Sequence, residues 1–139
     1  MTNLEKVRKN GHDLKYVKNQ TPEICLAAVQ QYGWVLKYVK NQTPEICLAA
    51  VNQDGTVLEY VRNKTPEICL AAVQQNGYAL EYVKRQTPEI CLAALEQDDK
   101  ALKFVSLDLI KETLKLAIKP KIDNTNIINC SRFEIMDFE

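Results

Sequence analysis

Hydrophobic and polar positions along this chain follow a long, constant period. The string Thr-Pro-Glu-Ile-Cys-Leu-Ala-Ala begins at Thr21, Thr43, Thr65 and Thr87, each start lying 22 residues after the one before. Near-identical units with a fixed period of this size are typical of repeat proteins, in which each unit packs only on its neighbours. The pattern therefore predicts a repeat array.

The first half of each unit carries the signals of a short α-helix. In the unit that starts at Thr21, threonine is a preferred N-cap residue, Pro22 fits the first helical position, and Glu23 suits the positive end of the helix dipole. The apolar residues that follow cover more than one stripe, as expected for a helix buried between two neighbours. We expect Gly33 to end this helix in a left-handed conformation.

The second half of each unit predicts a shorter helix. From Trp34 to Lys40, the apolar residues Val35, Leu36 and Val39 share one face. Helices this short depend on stacking for their stability. The fold class predicted is all-α, a short α-solenoid of tandem 22-residue helix–turn–helix repeats with polar terminal caps. Leu70→Ala in a central repeat is expected to cost about 2–5 kcal/mol, as for a buried leucine.

Both ends of the array depart from the repeat. Glu5 and Lys6 replace two alanines of the repeat, which indicates a polar N-terminal cap, and Thr2 with Glu5 forms a capping-box pattern. After Val105 the Thr-Pro-Glu string is absent. An amphipathic helix follows, for which we expect an inward face made of Leu107, Ile110, Leu114 and Ala117.

These departures give the predicted domain organisation. A helical repeat domain spans residues 1–119, and a C-terminal tail spans residues 120–139. The sequence leaves three alternatives open for the tail: it docks on the array, it contacts a partner, or it is partly disordered. The domain divides into a truncated repeat 1–20, full repeats 21–42, 43–64, 65–86 and 87–106, and a capping helix 107–119.

Composition limits the classes of function. Eighteen Lys and Arg balance eighteen Asp and Glu, whereas proteins that bind nucleic acid usually carry a basic surplus. The N-terminal segment lacks the apolar stretch of a signal peptide, and no run reaches the roughly 18 apolar residues of a membrane span. We expect a soluble, cytoplasmic protein without membrane contact.

The repeated cysteines predict buried, unpaired thiols. Packed helices lie about 8–10 Å apart, whereas the Cα atoms of a disulfide lie within about 7 Å, so cysteines of adjacent repeats cannot bridge. Lone thiols one repeat apart also cannot converge on one metal ion. The four equivalent cysteines are Cys25, Cys47, Cys69 and Cys91.

The chain has few of the residues from which catalytic, metal or phosphate-binding sites are usually made. The chain has one histidine, His12, two serines, Ser106 and Ser131, and four glycines, all of which are assigned to helix ends. A catalytic triad, a histidine-based zinc site or a glycine-rich phosphate loop needs more such groups. We therefore expect no enzymatic activity, no catalytic residue, no bound metal and no cofactor.

Two charge series recur with the repeat period, one of cations and one of glutamates. The glutamates, each in the first turn of a predicted helix, are Glu23, Glu45, Glu67 and Glu89. The cations Lys18, Lys40, Arg62 and Lys84 could track phosphate groups, which makes nucleic-acid binding the alternative function. However, each cation also suits the end of a helix dipole, and it lies close in sequence to a carboxylate such as Glu45 that opens the next helix. Dipole compensation and weak surface pairing explain both series.

Positions that vary between repeats indicate where a partner binds. Residues beside the helix-ending glycine and on the second helix are free of stacking, and aromatic residues are typical of protein contacts. The leading function is therefore a protein-binding scaffold with an unidentified partner, and self-assembly into a homo-oligomer is a third class. The candidate binding residues are Tyr32, Trp34, Lys37, Glu59, Tyr78 and Glu81.

The segment from Leu36 to Val51 resembles the repeat of an uncharacterised family, domain of unknown function forty-one sixteen. The resemblance extends over roughly Leu4 to Val105, and Gln-Thr-Pro-Glu-Ile-Cys-Leu-Ala-Ala is its most specific string. The family occurs in giant viruses of amoebae and some intracellular bacteria, which implies a viral or effector-type protein in a host cytoplasm. The resemblance implies no catalytic residue.

Overall fold

A computed structural model describes residues 1–118 of the chain. Ser131, the end of the predicted capping helix at Lys119 and the predicted tail 120–139 lie outside the described residues. The α-helices are α1 (Asn3–Lys9), α2 (Pro22–Gln31), α3 (Pro44–Gln53), α4 (Pro66–Gln75), α5 (Pro88–Gln97) and α6 (Leu107–Ile118). The 3₁₀-helices are η1 (Gly11–Tyr16), η2 (Gly33–Tyr38), η3 (Gly55–Tyr60), η4 (Gly77–Tyr82) and η5 (Asp99–Phe104).

The helices form a two-layer stack. Each α-helix packs on the next α-helix, each 3₁₀-helix packs on the next 3₁₀-helix, and helices two repeats apart do not touch. Over residues 1–118 there is no β-strand. The predicted all-α solenoid of tandem repeats is therefore confirmed.

The α-helices begin where the sequence predicts. Thr21 is the N-cap of α2, its hydroxyl accepts the N–H of Ile24 at 3.2 Å, and Pro22 is the first helical residue. The threonines that precede α3, α4 and α5 make the same bond. In α1, Thr2 and Glu5 form a complete capping box, and its hydrogen bonds hold the pKa of Glu5 below its usual range.

The second helix of each repeat is a 3₁₀-helix of six residues. Val35, Leu36 and Val39 are buried, as expected. η2 has a fixed end on each side: it starts directly after the extended Tyr32, and at its end the Val39 N–H bonds the Leu36 carbonyl three residues back. Short segments between such fixed ends commonly adopt this geometry.

The expectation of a left-handed glycine is wrong. None of the glycines has a positive φ angle, and Gly33 begins η2. A Cβ atom at Gly33 would lie 2.7 Å from the backbone oxygen of Ala50 in the next repeat. Glycine is therefore required by close packing between repeats. Asp99 takes the same position in η5, where no further Thr-Pro-Glu repeat follows, and it is exposed.

The core runs the length of the stack and is made of the recurring apolar residues. Leu58 and Leu80, on the 3₁₀-helices, are fully buried. Leu70, on α4, is only half-buried, so it is not the fully buried leucine that the sequence suggested. Leucines of the 3₁₀-helices, rather than those of the α-helices, fill the centre.

The thiols of Cys25, Cys47, Cys69 and Cys91 are buried and unpaired, as predicted. Burial raises the pKa of each thiol, because an apolar environment disfavours the thiolate. These cysteines are therefore packing residues of the core.

Helix α6 packs through a different face from the one predicted. Thr113 is buried and Ile110 half-buried, whereas Leu107, Leu114 and Ala117 are exposed. Apolar residues occur on two sides of this helix, and their spacing alone does not say which side meets α5. The Thr113 hydroxyl lies beside the Cys91 thiol and partly offsets the effect of burial on its pKa.

Candidate binding surfaces

A first series of glutamines links each repeat to the next. The side chain of Gln42 donates to the Tyr60 carbonyl at 2.9 Å and accepts the Arg62 N–H at 3.0 Å. Gln20 makes the same pair of bonds to Tyr38 and Lys40, and Gln86 makes them to Phe104 and Ser106. Each glutamine thus holds the end of the following 3₁₀-helix.

Lys64 interrupts this series. It occupies the position of Gln42, and its ammonium group instead donates to the Val61 carbonyl within its own repeat at 2.7 Å. An ammonium group has no acceptor, so it cannot receive the N–H of Lys84 as a glutamine would. The junction between repeats 43–64 and 65–86 therefore lacks one bridge.

A second series of glutamines lies at the ends of the α-helices and reaches back to the preceding repeat. The side-chain oxygen of Gln31 accepts the Gly11 N–H at 2.9 Å, and its amide group donates to the Val7 carbonyl at 2.7 Å. The equivalent bonds to the later glycines come from Gln53, Gln75 and Gln97. Sequence reasoning missed both series, although both recur with the repeat period.

Aromatic residues form a row along the 3₁₀ layer. The last residue of each 3₁₀-helix is aromatic, and Tyr16 at the N-terminal end is 73% exposed. We call this surface the 3₁₀ face; its row consists of Tyr16, Tyr38, Tyr60, Tyr82 and Phe104.

A larger aromatic cluster lies at the N-terminal end of the 3₁₀ face. The His12 ring stacks on Tyr32 at 4.3 Å between centroids and contacts Trp34 at 4.7 Å. Trp34 in turn meets the edge of Tyr38 at 6.1 Å. The two aromatic residues proposed from sequence, Tyr32 and Trp34, are joined through His12, which the sequence did not single out for binding.

Lysines lie over the aromatic rings. The Lys37 ammonium group is 4.9 Å from the Trp34 centroid and 5.1 Å from that of Tyr38. Further along the stack, Lys103 lies over Tyr78 and Phe104. Tyr78 therefore belongs to a separate cluster, two repeats from Trp34.

The two proposed glutamates lie between these clusters. Glu59 and Glu81 are exposed on η3 and η4. Burial, followed by the negative charges of Glu59 and Glu81, raises the pKa of Tyr82. Charge along the 3₁₀ face therefore changes sign twice, from lysines to glutamates and back to Lys103.

The cation series has a structural role that differs from the predicted one. The Lys40 ammonium group donates to the Lys18 carbonyl at 2.9 Å, and the Arg62 guanidinium donates to the Lys40 carbonyl at 2.8 Å. Over residues 1–118 the ion pairs are Arg8 with Glu23 and Lys115 with Glu112, so the expected pairing of Lys40 with Glu45 is not present. These cations instead bind the backbone of the preceding repeat.

Three successive pockets lie between the loops that follow the 3₁₀-helices, and none of the aromatic row lines them. Neighbouring pockets share residues, first Lys40 and Asn41 and then Arg62 and Asn63, so they form one continuous groove. We call it the loop groove. Its charged lining residues are Lys18, Lys40, Arg62, Lys64, Lys84 and Arg85.

Residues 1–118 contain neither a metal-binding cluster nor a membrane-spanning helix. No group of three or more His, Cys, Asp or Glu side chains is arranged to hold a metal ion there. Within the same span, every helix is too short or too polar to traverse a lipid bilayer.

Comparison with known proteins gives one match. Three overlapping stretches, residues 21–65, 43–86 and 65–111, match a family described as a domain of unknown function, DUF4116. No curated protein and no solved structure matches the chain. The matched stretches coincide with the repeats described above.

Proposed function

The chain belongs to the repeat family DUF4116, and on this premise we propose that it is a non-enzymatic scaffold that binds a protein partner through the 3₁₀ face. The observation that carries the proposal is the exposed, preassembled aromatic cluster. Tyr32 and Trp34 are 41% and 36% exposed, yet each is held by ring contacts with His12. Large aromatic side chains that are already ordered lose little conformational entropy when a partner covers them.

Charge on the same face supports specific recognition. Lys37 lies over the aromatic cluster, and Glu59 and Glu81 follow on the next two repeats. A partner with acidic groups opposite Lys37 and basic groups opposite the glutamates would bind in one direction only, because the reverse direction places like charges together. The partner we propose is therefore a folded protein or segment of mixed charge.

The test starts from cross-linking of the full chain in its natural cell, followed by purification of the identified partner and measurement of its affinity. We compare the natural chain with Trp34→Ala plus Tyr78→Ala, and with a matched control, Gln30→Ala plus Gln74→Ala. The control glutamines are exposed on α-helices away from the aromatic clusters.

We expect the aromatic variant to bind the partner at least about 10-fold more weakly, as for loss of a binding hot spot. The ratio of the two affinities should change little with salt concentration, because the lost contacts are apolar. The control should bind like the natural chain, and circular dichroism should show that all three proteins are folded at the temperature of the binding measurement. Equal affinity of the aromatic variant and the natural chain would refute this use of the 3₁₀ face.

Nucleic-acid binding is the second candidate function, and the loop groove supports it. Its lining includes Lys18, Lys40, Arg62 and Lys84 and no carboxylate. Binding of RNA or DNA that weakens with salt and is lost in Lys40→Glu plus Arg62→Glu would favour this function over protein binding.

Self-assembly and a viral or effector-type role are two further parts of the proposal. Self-assembly is tested by light scattering, which gives the number of copies per particle, for the full chain and for a chain cut after Lys119. If the tail joins copies together, the full chain forms oligomers and the shortened chain is a monomer. A viral or effector-type role in a host cytoplasm is supported by the family resemblance alone. Localisation of the tagged protein during infection tests it.

A further inference from the structure

We propose that the loop groove binds an extended, acidic peptide segment of a partner protein. This goes beyond the proposed function because it concerns a different surface and a different ligand chemistry. The groove runs across the three junctions between four consecutive repeats, and each junction contributes the same kinds of side chain.

The electrostatics of the groove favour an anionic ligand. Six cations line it, and none of its lining residues is acidic. The first-turn carboxylate of α2, Glu23, is turned away: it pairs with Arg8 at 3.4 Å and lines a different cavity, between α1 and α2. Uncompensated positive charge in a groove concentrates anionic ligands and accelerates their binding.

Two of the six cations, Lys40 and Arg62, are held in place before a ligand binds. One N–H group of Lys40 is bonded to the Lys18 carbonyl, and one of Arg62 to the Lys40 carbonyl. An ammonium group has three donors and a guanidinium five, so each side chain keeps donors for a carboxylate. Because their orientation is already fixed, these side chains lose less entropy on binding than free surface lysines do.

A row of asparagines gives the groove its preference for peptide. Asn19, Asn41 and Asn63 line the three pockets at equivalent positions, and all three are exposed. Their side chains make no hydrogen bond within residues 1–118. A side-chain amide offers one donor and one acceptor side by side, which matches the N–H and C=O groups of an extended backbone.

The spacing of the row suits an extended chain. Packed helices lie about 8–10 Å apart, and an extended peptide rises about 3.3 Å per residue, so each repeat corresponds to about three peptide residues. A segment of about nine residues would therefore meet all three asparagines. Its acidic side chains would reach the cations that alternate with the asparagines along the groove.

Absence of aromatic residues from the groove argues against single-stranded nucleic acid as its ligand. Proteins that bind single strands stack the bases on aromatic side chains. The lining residues of the three pockets include no Phe, Tyr, Trp or His, and the aromatic row belongs to the 3₁₀ face. Cations and amides without stacking surfaces fit a peptide better.

The experiment measures fluorescence anisotropy of labelled probes added to the full chain at low and at physiological salt. The probes are an alternating Glu-Ser peptide of about twelve residues, the same peptide with Lys for Glu, and an oligothymidine of similar length. The variants are Asn41→Ala plus Asn63→Ala, Lys40→Glu plus Arg62→Glu, and Trp34→Ala.

We expect the Glu-Ser peptide to bind and the Lys-Ser peptide not to bind. The asparagine variant should weaken binding about 10-fold while its melting temperature stays unchanged, and the charge-reversal variant should abolish binding. Trp34→Ala should have no effect, which separates this site from the 3₁₀ face.

Three results would overturn the inference. Oligothymidine binding more tightly than the Glu-Ser peptide would make the groove a nucleic-acid site. No binding of the acidic peptide at low salt would exclude an anionic peptide ligand. Unchanged affinity in the asparagine variant would remove the proposed backbone recognition. None of these results bears on the aromatic cluster, so the proposed function and this inference can fail separately.

Discussion

The side-chain oxygen of Gln42 accepts a hydrogen bond from the backbone N–H of Arg62, in the next repeat, at 3.0 Å. The amide group of the same side chain donates to the Tyr60 carbonyl. One side chain thus satisfies a donor and an acceptor at the end of η3, where the 3₁₀-helix itself provides no partner. The repeats are joined by polar bridges as well as by apolar packing.

Lys64→Gln should stabilise the protein, because it completes the first glutamine series at the one internal junction that lacks a bridge. Each new hydrogen bond contributes about 0.5–1.5 kcal/mol, against loss of the bond from Lys64 to the Val61 carbonyl. We expect a net gain of about 1 kcal/mol in the free energy of unfolding, measured by urea denaturation.

The control is Lys9→Gln, which makes the same chemical change on the exposed surface of α1 and should leave stability unchanged. The reciprocal variant, Gln42→Lys, should destabilise the protein by a similar amount. Lys64→Gln behaving like Lys9→Gln would show that the bridges contribute nothing net.

Gly33→Ala should destabilise the protein through a clash rather than through backbone strain. Its φ angle is negative, but the added methyl group would lie 2.7 Å from the Ala50 oxygen, so the next repeat must move. Such overpacking costs about 1–3 kcal/mol. Thermal and urea denaturation would measure this loss.

Asp99→Ala provides the comparison, because Asp99 holds the position of Gly33 on an exposed site without the close approach of a further repeat. We expect a change within about 0.5 kcal/mol there, as for ordinary surface sites. Equal effects of the two substitutions would contradict the packing explanation.

Leu58→Ala should cost more than Leu70→Ala. Leu58 is fully buried in η3, so we expect a loss of about 2–5 kcal/mol in the free energy of unfolding. Leu70 is half-buried on α4 and should lose distinctly less. A larger cost at Leu70 would mean that the centre of the core lies between the α-helices.

The buried thiols should make stability depend on alkaline pH. Burial raises their pKa values in the folded state above the ordinary value of about 8.5. The folded chain therefore binds more protons than the unfolded chain once the pH passes that value, and stability falls as pH rises further. Below the ordinary pKa of a thiol, the buried thiols are protonated in both states, and their contribution to stability is fully present.

Urea denaturation between neutral and alkaline pH measures the loss, and a thiol reagent gives an independent check. In a Cys130→Ser variant, the four repeat cysteines should react with the reagent only on unfolding. Reaction of the native protein at the rate of free cysteine would contradict their burial.

The period of the sequence was enough to predict the fold. Thr21 and Pro22 define the start of α2 through local backbone chemistry, and a recurring string leaves little choice of architecture. The 3₁₀ geometry could not be distinguished from a short α-helix, because the spacing of Val35, Leu36 and Val39 suits either. The role of Gly33 could not be predicted, because the sequence of one repeat does not show how closely the next repeat approaches it.

The candidate sites were harder to predict for the same reason. Gln42 and Asn41 recur in the sequence just as Cys47 does, and repetition does not separate residues that join repeats from residues that face a ligand. The ring of His12 contacts Tyr32 and Trp34, and no sequence pattern indicates these contacts because His12 belongs to one repeat and the other two rings belong to the next. The side of α6 that packs was ambiguous because both sides carry apolar residues.

Gln42 reaches no further than the adjoining unit, and Gln31 no further than the unit before it. If a whole unit were duplicated or deleted in the gene, every remaining glutamine would still face equivalent backbone atoms across the new boundary. Evolution can therefore change the number of units in a single step without redesigning any contact. The number of repeats encoded by the gene therefore sets the length of the stack and the length of ligand that it can span.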